Sequence, residues 1–210
     1  MLGRCALCNL NLMLKVTLIL CSLLIITSCV SERKNLFSFE AANSTSTDDI
    51  TSQKINQLGI GNLKNGFDSL QIRIWYDYSL LKNRDLVIIQ LKKGKWLGFH
   101  YSMVVDWDPL KNTETIVTKT VKNVTPKSGW NDFLIRLSDL RITSLPNMKD
   151  IPGLKDFWDD GNYYNIEIAK GKNYRFYTYH VPSKFEDKFW QARNMSDILR
   201  LISTEFNIPN

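Results

Sequence analysis

The chain has 210 residues, of which 44% are hydrophobic and 11% aromatic, and its formal net charge is +6 at pH 7. This length allows one domain of ordinary size with a substantial hydrophobic core, and no internal repeat divides it. Lysine and arginine form no dense stripe along the sequence, so we expect no nucleic-acid partner, although a mildly basic chain can favour anionic surfaces.

The amino-terminal segment has the layout of a secretory signal peptide. Residues 16–26 form an apolar run that is too short to span a bilayer. Lys15 precedes this run, and small residues lead from it to Cys29. We therefore expect residues 1–28 to be a signal that is removed on export.

All four cysteines of the chain lie at or before Cys29. Cys5 and Cys8 have a spacing found in metal and redox sites, but they fall in the segment that we expect to be discarded. Met13 is a second candidate start and would give a more compact signal, in which case residues 1–12 lie ahead of the true start. The sequence therefore predicts no cofactor held by cysteine and no disulfide in the mature domain.

The four residues 26–29, Ile-Thr-Ser-Cys, resemble the lipobox of bacterial lipoproteins. The resemblance implies that Cys29 is acylated, that the chain is cut just before it, and that the lipid bilayer is a partner through this group. Ser31 is not the aspartate that retains such proteins in the inner membrane of enteric bacteria. The resemblance thus implies export and a lipid anchor in the cell envelope, most simply in the outer membrane.

Polar residues without an apolar period follow the cysteine, and we predict a flexible tether over residues 29–54. A single globular domain is predicted over residues 55–210.

Alternation and β-branched residues predict four strands in the first half of that domain, at 70–77, 85–91, 96–105 and 115–121. The glycine in 92–95 favours a hairpin turn between the second and third of them.

A helical period follows these strands. Ser128 is a candidate cap, and five apolar residues form one stripe: Trp130, Phe133, Leu134, Leu137 and Leu140. Two further strands are predicted at 163–169 and 174–180, and then a helical region from Pro182 with a break near Asn194. The order β-β-β-β-α-β-β-α predicts an α+β fold, with a mostly antiparallel sheet of about six strands and helices on one face.

Several short motifs of the second half also resemble small lipoproteins of Bacteroidota-type bacteria. They are Ser-Gly-Trp at 128–130, Asp160-Gly161 before a strand, and Tyr-Arg-Phe-Tyr at 174–177. This resemblance implies a compartment and a fold class, and it implies no activity.

Aromatic and cationic residues suggest a candidate binding face. Arg175, Tyr177 and Tyr179 alternate along one predicted strand, so their side chains share a face. Trp75 is expected to join them on the side of the sheet that the helices leave free. Such a face can stack on sugar rings or hold an extended peptide.

The two histidines and an acidic loop are weaker candidates for chemistry. His100 and His180 lie in predicted strands, where a structural role is expected. Asp156, Asp159 and Asp160 could supply oxygen ligands to a cation, but turn formation explains them as well, so we predict no metal site.

No nucleophile or paired acid-base motif stands out, so the sequence favours a non-enzymatic binding or accessory module of the cell envelope. Its partner would be an envelope glycan or a protein. A hydrolase acting on glycans or peptides is the alternative, and it would need titratable groups that converge in a concave site.

Overall fold

A computed structural model describes the chain over residues 37, 49–78, 81–111, 113–155 and 160–208. The chain divides into two units, residues 1–38 and 39–210, and all of the described helices and strands lie in the second. The predicted signal, Cys29 and most of the predicted tether lie outside the described residues. None of the described helices is long and apolar enough to cross a membrane.

Three α-helices and six strands make up the described part of the domain. Their bounds are α1 Asp49–Leu58, β1 Phe67–Tyr78, β2 Asn83–Lys92, β3 Lys95–Asp108, β4 Thr113–Val124, α2 Trp130–Asp139, β5 Asn162–Gly171, β6 Asn173–His180 and α3 Trp190–Phe206. Short 3-10 turns at Leu63–Asn65, Met148–Asp150 and Pro182–Lys184 join some of them.

The strands form one antiparallel sheet in the order β4-β3-β2-β1-β5-β6. The α+β class and the six antiparallel strands are confirmed, and so is the predicted order of elements from β1 onward, although α1 precedes it. The β2–β3 hairpin turns at Lys93 and Gly94, whose φ angles of 51° and 75° match the two-residue turn that fits strand twist. Short turns of this kind make the strand pairs antiparallel, as the sequence predicts.

One face of the sheet is apolar and lies under α2 and α3; we call it the α2/α3 face. Side chains alternate between the two faces along each strand. The strand register therefore shows which residues lie at the centre of the α2/α3 face. They are Leu70, Ile72, Ile74, Val87, Ile89, Ile166 and Ile168. The predicted stripe of α2 is confirmed at Phe133, Leu134 and Leu137, which are buried, whereas Trp130 and Leu140 at its ends are half-buried.

A glycine allows α2 to approach this face closely. Trp130 stacks on Trp96 with ring centroids 6.2 Å apart, directly beside Gly98. A Cβ atom on Gly98 would lie 3.1 Å from the Trp130 ring and 2.6 Å from the Val124 carbonyl oxygen. A larger residue at this position would therefore push α2 or β4 away from the sheet.

The opposite face lies partly under α1, and we call it the α1 face. Ile55 and Leu58 of α1 pack there against Trp75, Leu86, Ile88 and Met103. The sequence predicts helices on one face only, and this prediction misses α1. The helix segment Asp49–Leu58 is rich in polar residues, so its apolar stripe is too narrow to stand out.

Three local predictions are wrong. The tether does not extend to residue 54, because α1 begins at Asp49 and Lys54 is buried. Ser128 does not cap α2: Gly129 occupies the cap position, and the Ser128 amide donates a hydrogen bond to Glu205. Asn194 lies inside α3, which starts only at Trp190.

Candidate functional site

The predicted binding face of β6 is not open. Arg175, Tyr177 and Tyr179 lie on the α2/α3 face and are 7%, 1% and 0% exposed. The Arg175 guanidinium donates to the carbonyl of Leu145, and the Tyr177 hydroxyl donates to that of Ile142 at 2.7 Å. The segment that follows α2 covers β6, and the side chains of Arg175 and Tyr177 donate hydrogen bonds to two of its backbone carbonyl groups. The prediction that they face solvent is therefore wrong.

Trp75 lies on the other side of the sheet from those three residues. Its side chain is 1% exposed, and its indole N–H donates to Glu167 at 2.9 Å. A two-residue period places residues on one face within a strand, but the register between strands decides whether two strands contribute to the same face. The four predicted residues therefore do not form one surface.

The acidic loop and His180 do not form a site among the described residues. Asp156 and Asp159 lie outside the described residues, and Asp160 is exposed. No group of three His, Cys, Asp or Glu side chains that could hold a metal ion occurs among the residues that the structure describes. His180 is buried and stacks on Tyr163 with ring centroids 4.1 Å apart, which is a packing role.

His100 lies in a different environment, a groove on the α2/α3 face beyond the end of the covering helices. The groove has a volume of about 790 Å³. Polar side chains from four neighbouring strands form much of its floor, and the end of α3 forms one wall. The polar residues that line it include Tyr78, Asp85, His100, Ser102, Thr120 and Lys122.

The strand register explains why this floor is polar. Under α2 the facing residues are Ile89, Gly98 and Val124, in neighbouring strands. Four residues before Ile89 in β2, beyond the part of the sheet that α2 covers, Asp85 faces Ser102 of β3. The same face of the sheet therefore changes from apolar to polar at the point where the helices cease to cover it.

An aspartate and a histidine are paired at the centre of the groove. His100 Nε2 lies 2.7 Å from Asp85 Oδ1, and both side chains are mostly buried. Lys122 faces His100 across the strand pair and is exposed. The carboxylate and the ammonium group give the groove charges of both signs within one small area.

The Tyr78 hydroxyl borders this pair. It donates a long hydrogen bond of 3.4 Å to the second carboxylate oxygen of Asp85. Burial raises the pKa of the Tyr78 hydroxyl, and the negative charge of Asp85 raises it further. The hydroxyl therefore keeps its proton at neutral pH and can act as a donor, with its ring beside the groove.

The groove thus presents donors and acceptors close together, with the aromatic rings of Tyr78 and Phe206 at its edge. Hydroxyls of Ser102 and Thr120 can donate and accept, Asp85 accepts, and Lys122 donates. These groups suit a ligand that is rich in hydroxyl groups. The Asp85–His100 pair is also a potential acid-base group.

A second cavity of about 280 Å³ lies on the α1 face, beside the loop that joins α1 to β1. Arg73 lines it, and its guanidinium is tied to Gln71 and to the carbonyl of Gly61. Glu167 lies 3.8 Å away and balances its charge. The polar groups of this cavity are mostly engaged within the protein, so it is the weaker candidate.

Of the groove residues, the sequence singles out His100 but not Asp85, Ser102, Thr120 or Lys122. The one usable signal is Asp85, an acidic residue that precedes a run of apolar ones in β2. Threonine, serine and lysine are ordinary on exposed strand positions, so the other three residues carry no signal of their own.

Comparison with protein-family models, with curated proteins and with solved structures finds no match to this chain. The resemblances to bacterial lipoproteins stated from the sequence therefore remain predictions.

Proposed function

We propose that this protein is an exported lipoprotein, anchored in the cell envelope through acylated Cys29, whose domain binds an envelope glycan in the groove around Asp85 and His100. Binding is non-enzymatic, and the protein acts as a displayed binding or accessory module. The outer membrane is the proposed location.

The observation that carries the glycan proposal is the change of the α2/α3 face from an apolar to a polar floor. An uncovered sheet face is polar for solvation alone, but Asp85 and His100 are mostly buried and paired at 2.7 Å inside the groove, which solvation does not require. Polar groups of mixed donor and acceptor character, beside the ring of Tyr78, match the hydroxyl groups and the apolar faces of sugar rings.

The binding proposal is tested by co-sedimentation with purified cell-wall sacculi and by titration with soluble oligosaccharides. Lys122→Gln removes one charged donor from the groove, and we expect affinity to fall about tenfold. Lys119→Gln is the matched control, because Lys119 is an exposed lysine of the same strand whose side chain points to the other face. Equal affinities of the two variants would overturn the groove as the binding site.

The anchor is tested separately by detergent phase partitioning. The wild type should enter the detergent phase, and Cys29→Ser should move the protein to the aqueous phase because it cannot be acylated. A wild type that already partitions as a water-soluble protein would refute the lipid anchor without affecting the groove.

A hydrolase is the second candidate, and the pairing of His100 with Asp85 is the observation that favours it. A histidine oriented by a carboxylate can act as a general base towards water or a hydroxyl group. His100→Gln distinguishes the two functions. If the protein is a hydrolase, release of soluble fragments from sacculi should fall by at least about 100-fold while sacculus binding persists. Absence of any release by the wild type leaves the binding function.

A further inference from the structure

Three connections meet at one end of the sheet. Leu70 near the start of β1 faces Leu91 of β2 and Lys170 of β5. The β2–β3 turn, the β5–β6 turn and the entry to β1 therefore lie at the same end. The segment after β4 joins them there, because β4 ends opposite Gly98, close to the start of β3.

These connections carry most of their charge as lysine, and we call the region the lysine end. Its exposed lysines are Lys64, Lys92, Lys93, Lys95, Lys127 and Lys172. None of these six ammonium groups forms an ion pair with any residue that the structure describes. Two exposed acids adjoin these connections, Asp68 near the start of β1 and Asp132 in the first turn of α2.

Two lysines at the opposite end of the sheet are neutralised instead. Lys82 pairs with Asp106 at 2.9 Å, and Lys111 pairs with Asp108 at 3.2 Å. Among the described residues, Lys82 and Lys111 therefore have acidic partners at one end of the sheet, whereas the six lysines of the lysine end have none. Uncompensated charge of one sign is a feature that favours an oppositely charged partner.

We propose that the lysine end docks on an anionic membrane surface. Lysine offers a compact charge without the planar fork that makes arginine selective for single phosphates, so a cluster of lysines suits a surface of many headgroups. The cluster spans several turns at the end of a sheet rather than a cleft, which fits a planar partner better than a strand of nucleic acid.

Docking in this way is compatible with an anchor at Cys29, although it does not depend on that anchor or on glycan binding. α1 begins at the end of the sheet opposite the lysines, since Lys54 contacts Asp77 and Glu114 there. A twelve-residue strand spans about 40 Å, and the twenty residues from 29 to 48 reach at most about 65–70 Å. Fully extended, a connection of this length would let the anchor and the lysine end meet the same membrane.

The test compares the full chain on vesicles of phosphatidylcholine alone and on vesicles that also contain phosphatidylglycerol. The ratio of the two partition coefficients cancels any contribution from acyl chains. A variant with Lys→Gln at four positions, Lys92, Lys95, Lys127 and Lys172, should lower this ratio by about 100-fold or more at low salt.

The matched control replaces four exposed lysines elsewhere with glutamine: Lys119, Lys149, Lys155 and Lys188. It loses the same net charge, so an equal fall of the ratio in both variants would overturn a localised docking surface. Soluble polyphosphate at matched phosphate concentration is the second arm. Tighter binding of polyphosphate than of the anionic vesicles would overturn the membrane as the partner. Sacculus binding by the lysine-end variant separates a failure here from a failure of the proposed glycan site.

Discussion

The two faces of the sheet are stabilised by different means. The α2/α3 face is covered by two amphipathic helices, and residues such as Ile74, Phe133 and Leu137 are completely buried there. The α1 face is covered by one short helix, and beneath and beside it lie charged and polar residues that are nearly as buried. Arg73 is 2% exposed and Glu167 is 0% exposed.

Charged groups on the α1 face are paired in two clusters. In the first, the Lys54 ammonium lies 2.9 Å from Glu114, and Arg84 contacts both Glu114 and Asp77. These four residues connect α1 to three strands. Burial of a charge is costly unless an opposite charge compensates it. Removal of any one of these four residues would therefore leave a buried charge without its partner.

The second cluster surrounds Glu167. Its carboxylate accepts from the Trp75 indole at 2.9 Å and from the Tyr174 hydroxyl at 3.0 Å, and Arg73 lies 3.8 Å away. Burial lowers the pKa of Arg73, but the nearby carboxylate opposes this shift. One face therefore gains stability from apolar area, whereas the other depends on the completeness of its polar pairs.

The largest expected effect comes from breaking a polar pair on the α1 face. Glu167→Gln leaves the buried Arg73 charge without a carboxylate, and we expect the free energy of unfolding to fall by about 3–5 kcal/mol. Urea denaturation of the full chain measures it. Glu186→Gln is the control, because Glu186 pairs at the surface with the half-exposed Arg200 and should cost under about 1 kcal/mol. Similar losses in both variants would contradict the proposed difference between the faces.

The corresponding change on the α2/α3 face is Leu137→Ala. Leu137 is 0% exposed in the stripe of α2, and removal of its side chain should lower the free energy of unfolding by about 2–5 kcal/mol. Thermal and urea denaturation should agree on this loss. A loss under about 0.5 kcal/mol would place that side of α2 in solvent.

A smaller loss of stability is expected when one hydrogen bond within the apolar α2/α3 face is removed. Tyr177→Phe keeps the ring but leaves the Ile142 carbonyl without its donor, which should cost about 0.5–1.5 kcal/mol. Tyr177→Ser also removes the buried ring and should cost at least about 3 kcal/mol. Equal losses for the two variants would indicate that the hydroxyl, and not the ring, carries the contribution.

The smallest effect is a pH dependence at the junction of α2 and α3. Burial acts to raise the pKa of the Glu205 carboxyl, but the Ser128 amide and the Arg136 guanidinium outweigh it and lower the pKa below the ordinary value of 4.5. The unfolded chain then binds the proton at higher pH, so the stability from this group is present above pH 4.5 and is lost as the pH falls through the lowered folded pKa.

Glu205→Gln should therefore show a shallower loss of stability than the wild type as the pH falls below about 4.5. Urea denaturation at a series of pH values measures this. Parallel curves for the two proteins would mean that Glu205 contributes nothing to the acid sensitivity.

Much of the fold was predictable because it depends on local periods. Strand alternation placed β1 to β6, and the helical stripe placed α2, since apolar residues in these segments must face one core. The candidate site was predictable only in part. His100 could be named as a residue type able to do chemistry. The turn at Lys93 and Gly94 fixes the β2–β3 register locally, but the contact of His100 with Asp85 also depends on side-chain directions across the two strands and on where the helices leave the sheet uncovered.

The sequence by itself determined the type and order of most elements, the α+β class and the expectation of an export signal, because each rests on residues that are neighbours along the chain. The tertiary structure decided which face each strand residue occupies, so that Tyr177 is core and Asp85 lines a groove. It also gathered lysines from residues 64 to 172 at one end of the sheet. Electrostatic and packing energies depend on distance in space, and only the sheet register converts positions in the chain into those distances.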